Sequence, residues 1–177
     1  MRKINLYSDA QEIKKLKAGD QVLLSGMIYT ARDQAHKRLA EAINKHQKTP
    51  VDLKGRIIYY CGPAPTPRGK IIGSSGPTTS SRMDEFTPML LKKGVLAMIG
   101  KGRRSQRVIQ AIKKYKAVYF LTYAGCGALL SRYIKVKKIV AYPDLGPEAI
   151  YRLEVIDFPV IVGIDSKGND IFRQKGF

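Results

Sequence analysis

The stretch QVLLSGMIYTARDQAHKRLAEAINKH (21–46) joins an apolar run directly to an amphipathic one. Residues 21–29 are almost continuously apolar, which is typical of a buried β-strand. Within residues 31–46 the apolar side chains recur at helical spacing and share one face, which predicts an α-helix. Thr30 is expected to cap that helix, with Asp33 three residues on as in a capping box. A strand that leads straight into a helix is typical of an α/β fold.

The rest of the chain repeats this alternation of strands and helices. The opening residues predict a short strand and a short helix. Further helices are expected at 83–92, 104–115 and 126–133, the first of them starting late or kinking because of Pro88. Further strands are expected at 56–61, 70–73, 95–99, 117–121, 136–142, 151–157 and 160–165, with a turn at 166–169 into a terminal hairpin. The late strands lack long helices between them, so we predict one α/β domain with a mixed sheet over residues 1–177.

Composition narrows the class of protein. Apolar residues make up 44% of the 177 residues, which is too high for a disordered chain. The 2 cysteines exclude a disulfide scaffold and a four-cysteine metal site built from this chain alone. No apolar run reaches the roughly 18 residues of a membrane helix, and the N-terminal residues do not resemble a signal peptide. The expected compartment is therefore the cytosol.

The chain is strongly basic, because 32 Lys and Arg outnumber 14 Asp and Glu and give a net charge of +18. Such a charge is compatible with a solvated basic surface, with an acidic partner subunit or small anionic substrate, or with nucleic acid. The densest basic clusters lie at 101–107, 113–116 and 135–138, with few aromatic residues interleaved for base stacking. Composition alone leaves these three interpretations open.

Three polar loops each follow a predicted strand, at 29–32, 74–82 and 100–104. Ligand sites of α/β folds lie at such strand ends. The segment GSSGPTTSSR (73–82) combines glycines with hydroxyl side chains, so it is either an anion-binding loop or a plain flexible one. It lacks the residue order of a Walker phosphate-binding loop.

Arg32, Arg82 and Lys101 lie in these loops and together suit a substrate that carries two carboxylates. Each also has a plainer interpretation: Arg32 pairs with Asp33 or Glu41 at the surface, and Lys101 is an ordinary turn lysine. His36 could likewise be a packed or surface histidine.

The two cysteines, Cys61 and Cys126, are expected to be buried thiols, because both lie in or beside apolar runs. The sequence shows no nucleophile–base pair and no metal-ligand spacing. We therefore expect the chain to hold only part of a reaction site.

Seven ordered motifs identify a family resemblance. The chain resembles the β subunit, or C-terminal domain, of class I fumarate hydratases and the related tartrate dehydratases. The matching motifs are SGMIYTARDQAHKRL (25–39), IIYYCGPAP (57–65), GSSGPTTSSRMD (73–84), MIGKG (98–102), YAGCGALL (123–130), PDLGPEAIYRLEVIDFP (143–159) and DSKGND (165–170). This resemblance implies a compact β/β/α swivelling-type domain and the reversible hydration of fumarate to malate, or the dehydration of tartrate.

The resemblance also implies roles for individual residues. Thr78 matches the threonine proposed as the base for the C3 proton, and a threonine needs a helper group to pass that proton on. The resemblance implies substrate-binding roles for Arg32, Thr79, Arg82 and Lys101. It implies supporting roles for His36 and Asp33. His36 is expected to orient the turn that carries Arg32.

In this family a partner α subunit binds a [4Fe–4S] cluster through three cysteines, so no metal ligand is expected in this chain. Because the sequence starts just before the domain, the two-subunit form and an α2β2 assembly are expected. The tartrate dehydratase β subunit remains the alternative enzyme. A basic nucleic-acid-binding module remains the alternative from another class, and it predicts nucleic acid that co-purifies and is released by salt.

Overall fold

A computed structural model describes residues 1–173 as seven strands and four α-helices joined by short 3-10 turns. The strands are β1 (Arg2–Asn5), β2 (Gln21–Thr30), β3 (Ile57–Tyr59), β4 (Ala97–Gly100), β5 (Val118–Leu121), β6 (Ile134–Ala141) and β7 (Ile150–Ile164). The α-helices are α1 (Asp33–Asn44), α2 (Thr87–Lys92), α3 (Gln106–Tyr115) and α4 (Gly127–Leu130). The 3-10 helices are Ala10–Lys15, Ser80–Met83, Ser131–Tyr133, Pro143–Glu148 and Ile171–Arg173.

The sheet is mixed, and five of its strands close into a barrel. Strands β2, β3, β4 and β5 are parallel neighbours, and β7 pairs antiparallel with both β5 and β2. The long strands β2 and β7 each have room for a further neighbour, so β1 adds to β2 and β6 adds to β7. This arrangement confirms the predicted α/β fold with a mixed sheet.

Two apolar layers lie on the two sides of the barrel wall. The side chains of β2 alternate between buried and half-buried, which is the period expected of a strand. One buried cluster fills the barrel and includes Leu24, Tyr59, Phe120 and Phe158. A second cluster packs α1, α2 and α3 against the outer face. Strands β3 and β4 are buried on both faces, which explains their continuously apolar sequences.

The two strands predicted at 151–157 and 160–165 are a single strand, so this expectation was wrong. Asp157 has a φ of 53°, and its backbone N–H donates to the Ser25 hydroxyl at 2.9 Å. The register to β2 shifts between Leu24 and Gly26 at the same level, which is a β-bulge. Pro159 interrupts the sequence pattern, but it still pairs with Leu23 because β2 continues beside it.

Three smaller expectations also need correction. Thr30 does not cap α1, because it ends β2 and its hydroxyl accepts from the N–H of Tyr151 at 3.0 Å; Arg32 occupies the cap position instead. Residues 70–73 form no strand. The predicted terminal hairpin consists of a turn and a single bridge from Ile164 to Asp170, followed by a 3-10 helix. Helix α2 does start late, with Pro88 in its first turn as expected.

Candidate functional site

The predicted site residues come together at one edge of the barrel. Strands β2, β3 and β4 are parallel neighbours, so their carboxyl ends lie side by side. Arg32 follows the end of β2, and Lys101 follows the end of β4. The segment 73–82 lies between them after β3, because Thr78 donates its backbone N–H to the Tyr60 carbonyl at 2.7 Å.

Asp33 links the two arginines of the site. Its Oδ1 accepts a hydrogen bond from Arg82 Nε at 2.8 Å, and its Oδ2 lies 3.6 Å from Arg32 Nε. Arg32 Nη2 lies 3.5 Å from Glu148 Oε1, so the second carboxylate near it is Glu148 and not the expected Glu41. Gly62 gives Arg32 its space, because a Cβ there would lie 2.9 Å from Arg32 Cδ.

Arg32 has spare hydrogen-bonding capacity in this arrangement. Its Nε and the Oδ2 of Asp33 are buried and have no hydrogen-bond partner within residues 1–173. Both ion pairs of Arg32 are longer than a hydrogen bond, whereas Arg82 is about half exposed and directly paired. The Arg32 side chain is still 24% exposed, so this loosely paired arginine can also contact a carboxylate from outside.

The glycine- and hydroxyl-rich segment 73–82 is anchored along its length, so it is not the plain flexible loop that composition allowed. The Ala64 N–H donates to the Ser74 carbonyl at 2.9 Å, and the Ser75 N–H donates to the Gly127 carbonyl at 3.0 Å. Thr78 is half-buried and Thr79 is exposed. Neither threonine hydroxyl has a hydrogen-bond partner in the described part of the chain, so both can interact with a ligand.

The backbone of Lys101 is held beside the same segment. Residues Thr79 and Lys101 form an isolated parallel bridge. The Ser80 N–H donates to the Lys101 carbonyl at 3.2 Å, and the Lys101 N–H donates to the Ser80 hydroxyl at 2.9 Å. The lysine backbone is therefore fixed relative to the two threonines.

His36 is a buried, packed histidine that supports the backbone at Arg32. Its Nδ1 lies 2.8 Å from the Arg32 carbonyl, which can only accept, so Nδ1 carries the proton. The ring packs edge-on against Tyr60, and Nε2 has no hydrogen-bond partner within the described residues. Burial lowers the pKa of His36 to about 4, despite the opposing effect of its bond to the Arg32 carbonyl. The imidazole is therefore neutral at neutral pH.

The two cysteines differ, which corrects the expectation that both are buried. Cys61 is buried at the end of β3, and burial raises the pKa of its thiol to about 12. Cys126 is exposed, because it lies in the loop that leads into α4. Within residues 1–173 no three His, Cys, Asp or Glu side chains gather as metal ligands. A [4Fe–4S] cluster, which needs several thiolates, does not fit these residues.

Sequence reasoning missed several residues that build the site. Glu148 lies in a 3-10 helix far along the chain from Arg32. Ser80 was one hydroxyl among many, and Tyr119 belonged to an apolar strand-like run. Arg104, part of a basic cluster, is buried and pairs with Asp84 at 2.7 Å. A buried arginine carries no local sequence signal that separates it from its exposed neighbours.

No helix within residues 1–173 has the length and apolar character required to cross a bilayer.

Comparison with known proteins relates the chain to one family. The protein-family model described as Fumarase C-terminus matches residues 1–175. The aerobic class I fumarate hydratase of Salmonella typhimurium is 41% identical over 166 residues, which cover 93% of the chain and 29% of that protein. Fumarate hydratase 2 of Leishmania major is 38% identical over 166 residues, with the same two coverages of 93% and 29%. The chain thus spans less than a third of the length of these two relatives.

A third relative has a different name and a similar length. The putative L(+)-tartrate dehydratase subunit beta of Methanocaldococcus jannaschii is 39% identical over 170 residues. The match covers 93% of the chain and 87% of that protein.

Proposed function

The chain belongs to the fumarase C-terminus family, and on this premise we propose that it is the β subunit of a hydro-lyase that reversibly hydrates fumarate to malate. In this proposal the chain binds the dicarboxylate and supplies a proton-transferring threonine. A partner α subunit completes the site. The complex is an α2β2 assembly of the cytosol.

The observation that carries the proposal is the pair of arginines around one carboxylate. Arg32 and Arg82 approach Asp33 from two sides, and Arg32 keeps a buried N–H without a partner. A substrate carboxylate would contact the accessible part of the Arg32 side chain, which is 24% exposed, and would compete with Asp33 for Arg82. Lys101 adds a third cation beside Thr79, where it would meet the other end of the substrate. An arginine pair together with a lysine can bind the two carboxylates of a dicarboxylate dianion.

Thr78 is the proposed proton-transfer residue. During dehydration it takes the C3 proton of malate, the C3–H electron pair forms the C2–C3 double bond, and the C2–O bond breaks with its electron pair on oxygen. The hydroxide that leaves and the proton removed from C3 are released together as water. A threonine hydroxyl is a weak base, so its proton must pass to a second group. We assign that group to an aspartate of the partner subunit. His36 acts only on the backbone of Arg32, because its proton is already committed to the Arg32 carbonyl.

The surface around the site supports a covering partner. Ile71, Tyr123 and Leu129 are large apolar residues with 50%, 43% and 43% of their surface exposed. Ile71 lies just before the segment 73–82, and Leu129 lies in α4, whose first residue Gly127 contacts that segment. Exposed apolar residues beside a polar site are compatible with a protein interface there. We assign a [4Fe–4S] cluster to this partner, as the resemblance to class I fumarate hydratases implies.

The tartrate dehydratase β subunit is a second candidate, and one observation favours it. The match to the putative L(+)-tartrate dehydratase subunit beta covers 87% of that relative's length. Tartrate also presents a carboxylate at each end, so the arginine pair suits either acid. The substrate must therefore be decided by assay.

The first experiment mixes the purified chain with its candidate α subunit under anaerobic conditions. Loss of fumarate and of tartrate is followed for the mixture and for each chain alone. Activity in the mixture only is the expected result, and the faster substrate identifies the enzyme. Formation of an intact complex that consumes neither acid would contradict the proposal.

A matched pair of variants tests the docking surface. Ile71→Glu is expected to weaken complex formation in sedimentation analysis, because it places a charge on the proposed interface. Ile156→Glu is the control, since Ile156 is equally exposed at 51% and belongs to β7, not to the segment 73–82 or to α4. Equal effects of the two changes would contradict the assigned surface.

A chain that binds no α subunit but retains nucleic acid until salt releases it would favour the nucleic-acid alternative.

A further inference from the structure

A buried chain of hydrogen bonds lies directly beneath Lys101. Tyr119 is fully buried on β5, and its hydroxyl lies 2.9 Å from Ser80 Oγ and 3.0 Å from the Gly102 carbonyl. Ser80 Oγ also accepts from the Lys101 backbone N–H at 2.9 Å. These hydrogen bonds therefore connect the N–H of Lys101 to the carbonyl of the next residue, Gly102.

The Tyr119 hydroxyl is the donor toward both of its neighbours, Ser80 Oγ and the Gly102 carbonyl, so its single proton is shared between two acceptors. Ser80 Oγ also accepts from the Lys101 N–H and so lies between two donors. Burial raises the pKa of Tyr119 well above its usual value, so the phenol stays protonated. Linked hydrogen bonds of this kind polarise and strengthen one another in a buried setting.

The Ser80 side chain packs tightly against the backbone of Gly100. A Cβ on Gly100, the last residue of β4, would lie 1.9 Å from Ser80 Oγ. Ser80 therefore sits directly on the strand end that carries Lys101. Because Ser80 lies between Thr79 and Arg82, its position fixes the segment that holds both of them.

Arg104 connects Tyr119 to the 3-10 helix that carries Arg82. Its guanidinium lies over the Tyr119 ring at 4.9 Å and donates to Asp84 Oδ1 at 2.7 Å. The second carboxylate oxygen of Asp84 accepts from the Ser105 N–H at 2.7 Å. Asp84 ends the 3-10 helix that carries Arg82. Tyr119 and Arg104 thus connect the backbone at Lys101 and the helix that carries Arg82 to strand β5.

We propose that Ser80 and Tyr119 are positioning residues that set Lys101 relative to Thr79 and Arg82 for dicarboxylate binding. This inference rests on the proposed function. Thr78 is anchored separately, by its bond to the Tyr60 carbonyl. Loss of the hydroxyl chain should therefore weaken substrate binding more than it slows proton transfer.

The test is Tyr119→Phe in the assembled enzyme, which removes one hydroxyl and keeps the ring under Arg104. We expect KM for the dicarboxylate to rise roughly tenfold, the size of one net hydrogen bond, while kcat stays within about twofold. Tyr115→Phe is the control, because no side-chain hydrogen bond of Tyr115 is present within residues 1–173 and both its KM and its kcat should stay unchanged. Ser80→Ala should reproduce the KM effect; if it fails to fold, Tyr119→Phe decides the question.

A double-mutant cycle with Lys101→Ala separates positioning from a general loss of stability. If Tyr119 acts through Lys101, Tyr119→Phe should have little further effect on KM once the lysine side chain is absent. Fully additive effects, or an equal fall in kcat, would overturn the positioning role. A Lys101→Ala enzyme with unchanged KM would instead contradict the binding role of Lys101 in the proposed function, so the two failures are distinguishable.

Discussion

Acidification from about pH 7.5 to about pH 4.5 is expected to destabilise the fold, and His36 is expected to contribute a separable part of that effect. The ring is fully buried, donates to the Arg32 carbonyl and has no partner for Nε2 within the described residues. Protonation would create a buried cation near Arg104, with only Asp33 as a nearby opposite charge. The folded state therefore resists protonation.

The size of the effect follows from the difference in pKa between the two states. The unfolded histidine binds its proton near pH 6.5, whereas burial lowers the folded pKa to about 4. The unfolded state therefore binds more protons between these values, and stability that is complete above pH 6.5 is lost as the pH falls toward 4. A difference of about 2.5 pKa units corresponds to about 3 kcal/mol. That is a large part of the roughly 5–15 kcal/mol that stabilises a typical domain.

The assay is urea denaturation followed by circular dichroism at a series of pH values. The wild-type chain is compared with His36→Phe, which cannot be protonated, and with His46→Asn. His46 is exposed with a φ of 55°, a conformation that asparagine tolerates, so its replacement should leave the pH dependence unchanged. The carboxylates titrate in all three proteins, so the difference between them isolates His36. An equal pH dependence of His36→Phe and wild type between about pH 6.5 and pH 4.5 would refute the reasoning.

Three further predictions concern the site. Arg82→Ala should lower kcat/KM by the equivalent of about 2–5 kcal/mol, because one carboxylate contact is lost. Arg103→Ala removes an exposed arginine that has no assigned role in the site, and it should not lower kcat/KM. Thr78→Ala should abolish turnover while the complex still forms, and a near-normal rate would show that another group is the base. Cys126 should react with a maleimide in the folded protein, whereas Cys61 should react only on unfolding, because burial raises its pKa to about 12. Equally fast labelling of both thiols would contradict the burial of Cys61.

Most elements of the fold could be predicted from local sequence patterns. The apolar run before Thr30 and the helical spacing after it correspond to β2 and α1, and the spacing at 104–115 corresponds to α3. Failure occurred where a distant partner overrode the local signal. Pro159 normally breaks a strand, yet β7 continues through it because β2 lies alongside. Thr30 has the chemistry of a helix cap, yet its hydroxyl bonds to the backbone of β7.

For the candidate site, the residues could be predicted from the sequence, but the contacts between them could not. Its cationic and hydroxyl residues lie in loops after predicted strands, so Arg32, Thr78, Arg82 and Lys101 could be chosen from the sequence and its resemblance to a family. Their contacts could not. Arg82 meets Asp33 across 49 residues, and Tyr119 meets Ser80 across 39 residues. A sequence pattern reports periodicity over a few residues and carries no distance between two side chains this far apart.

The amino-acid sequence by itself determined the alternation of strands and helices, the family and the residue types available for binding a dianion. Only the tertiary structure decided that the sheet closes into a barrel, that Asp33 lies between two arginines and that a buried tyrosine supports Lys101. The physical reason is that periodicity and loop chemistry arise from neighbours along the chain. Barrel closure and hydrogen bonding within the site depend instead on the register of β2 against β7 and on the side-by-side ends of the parallel strands.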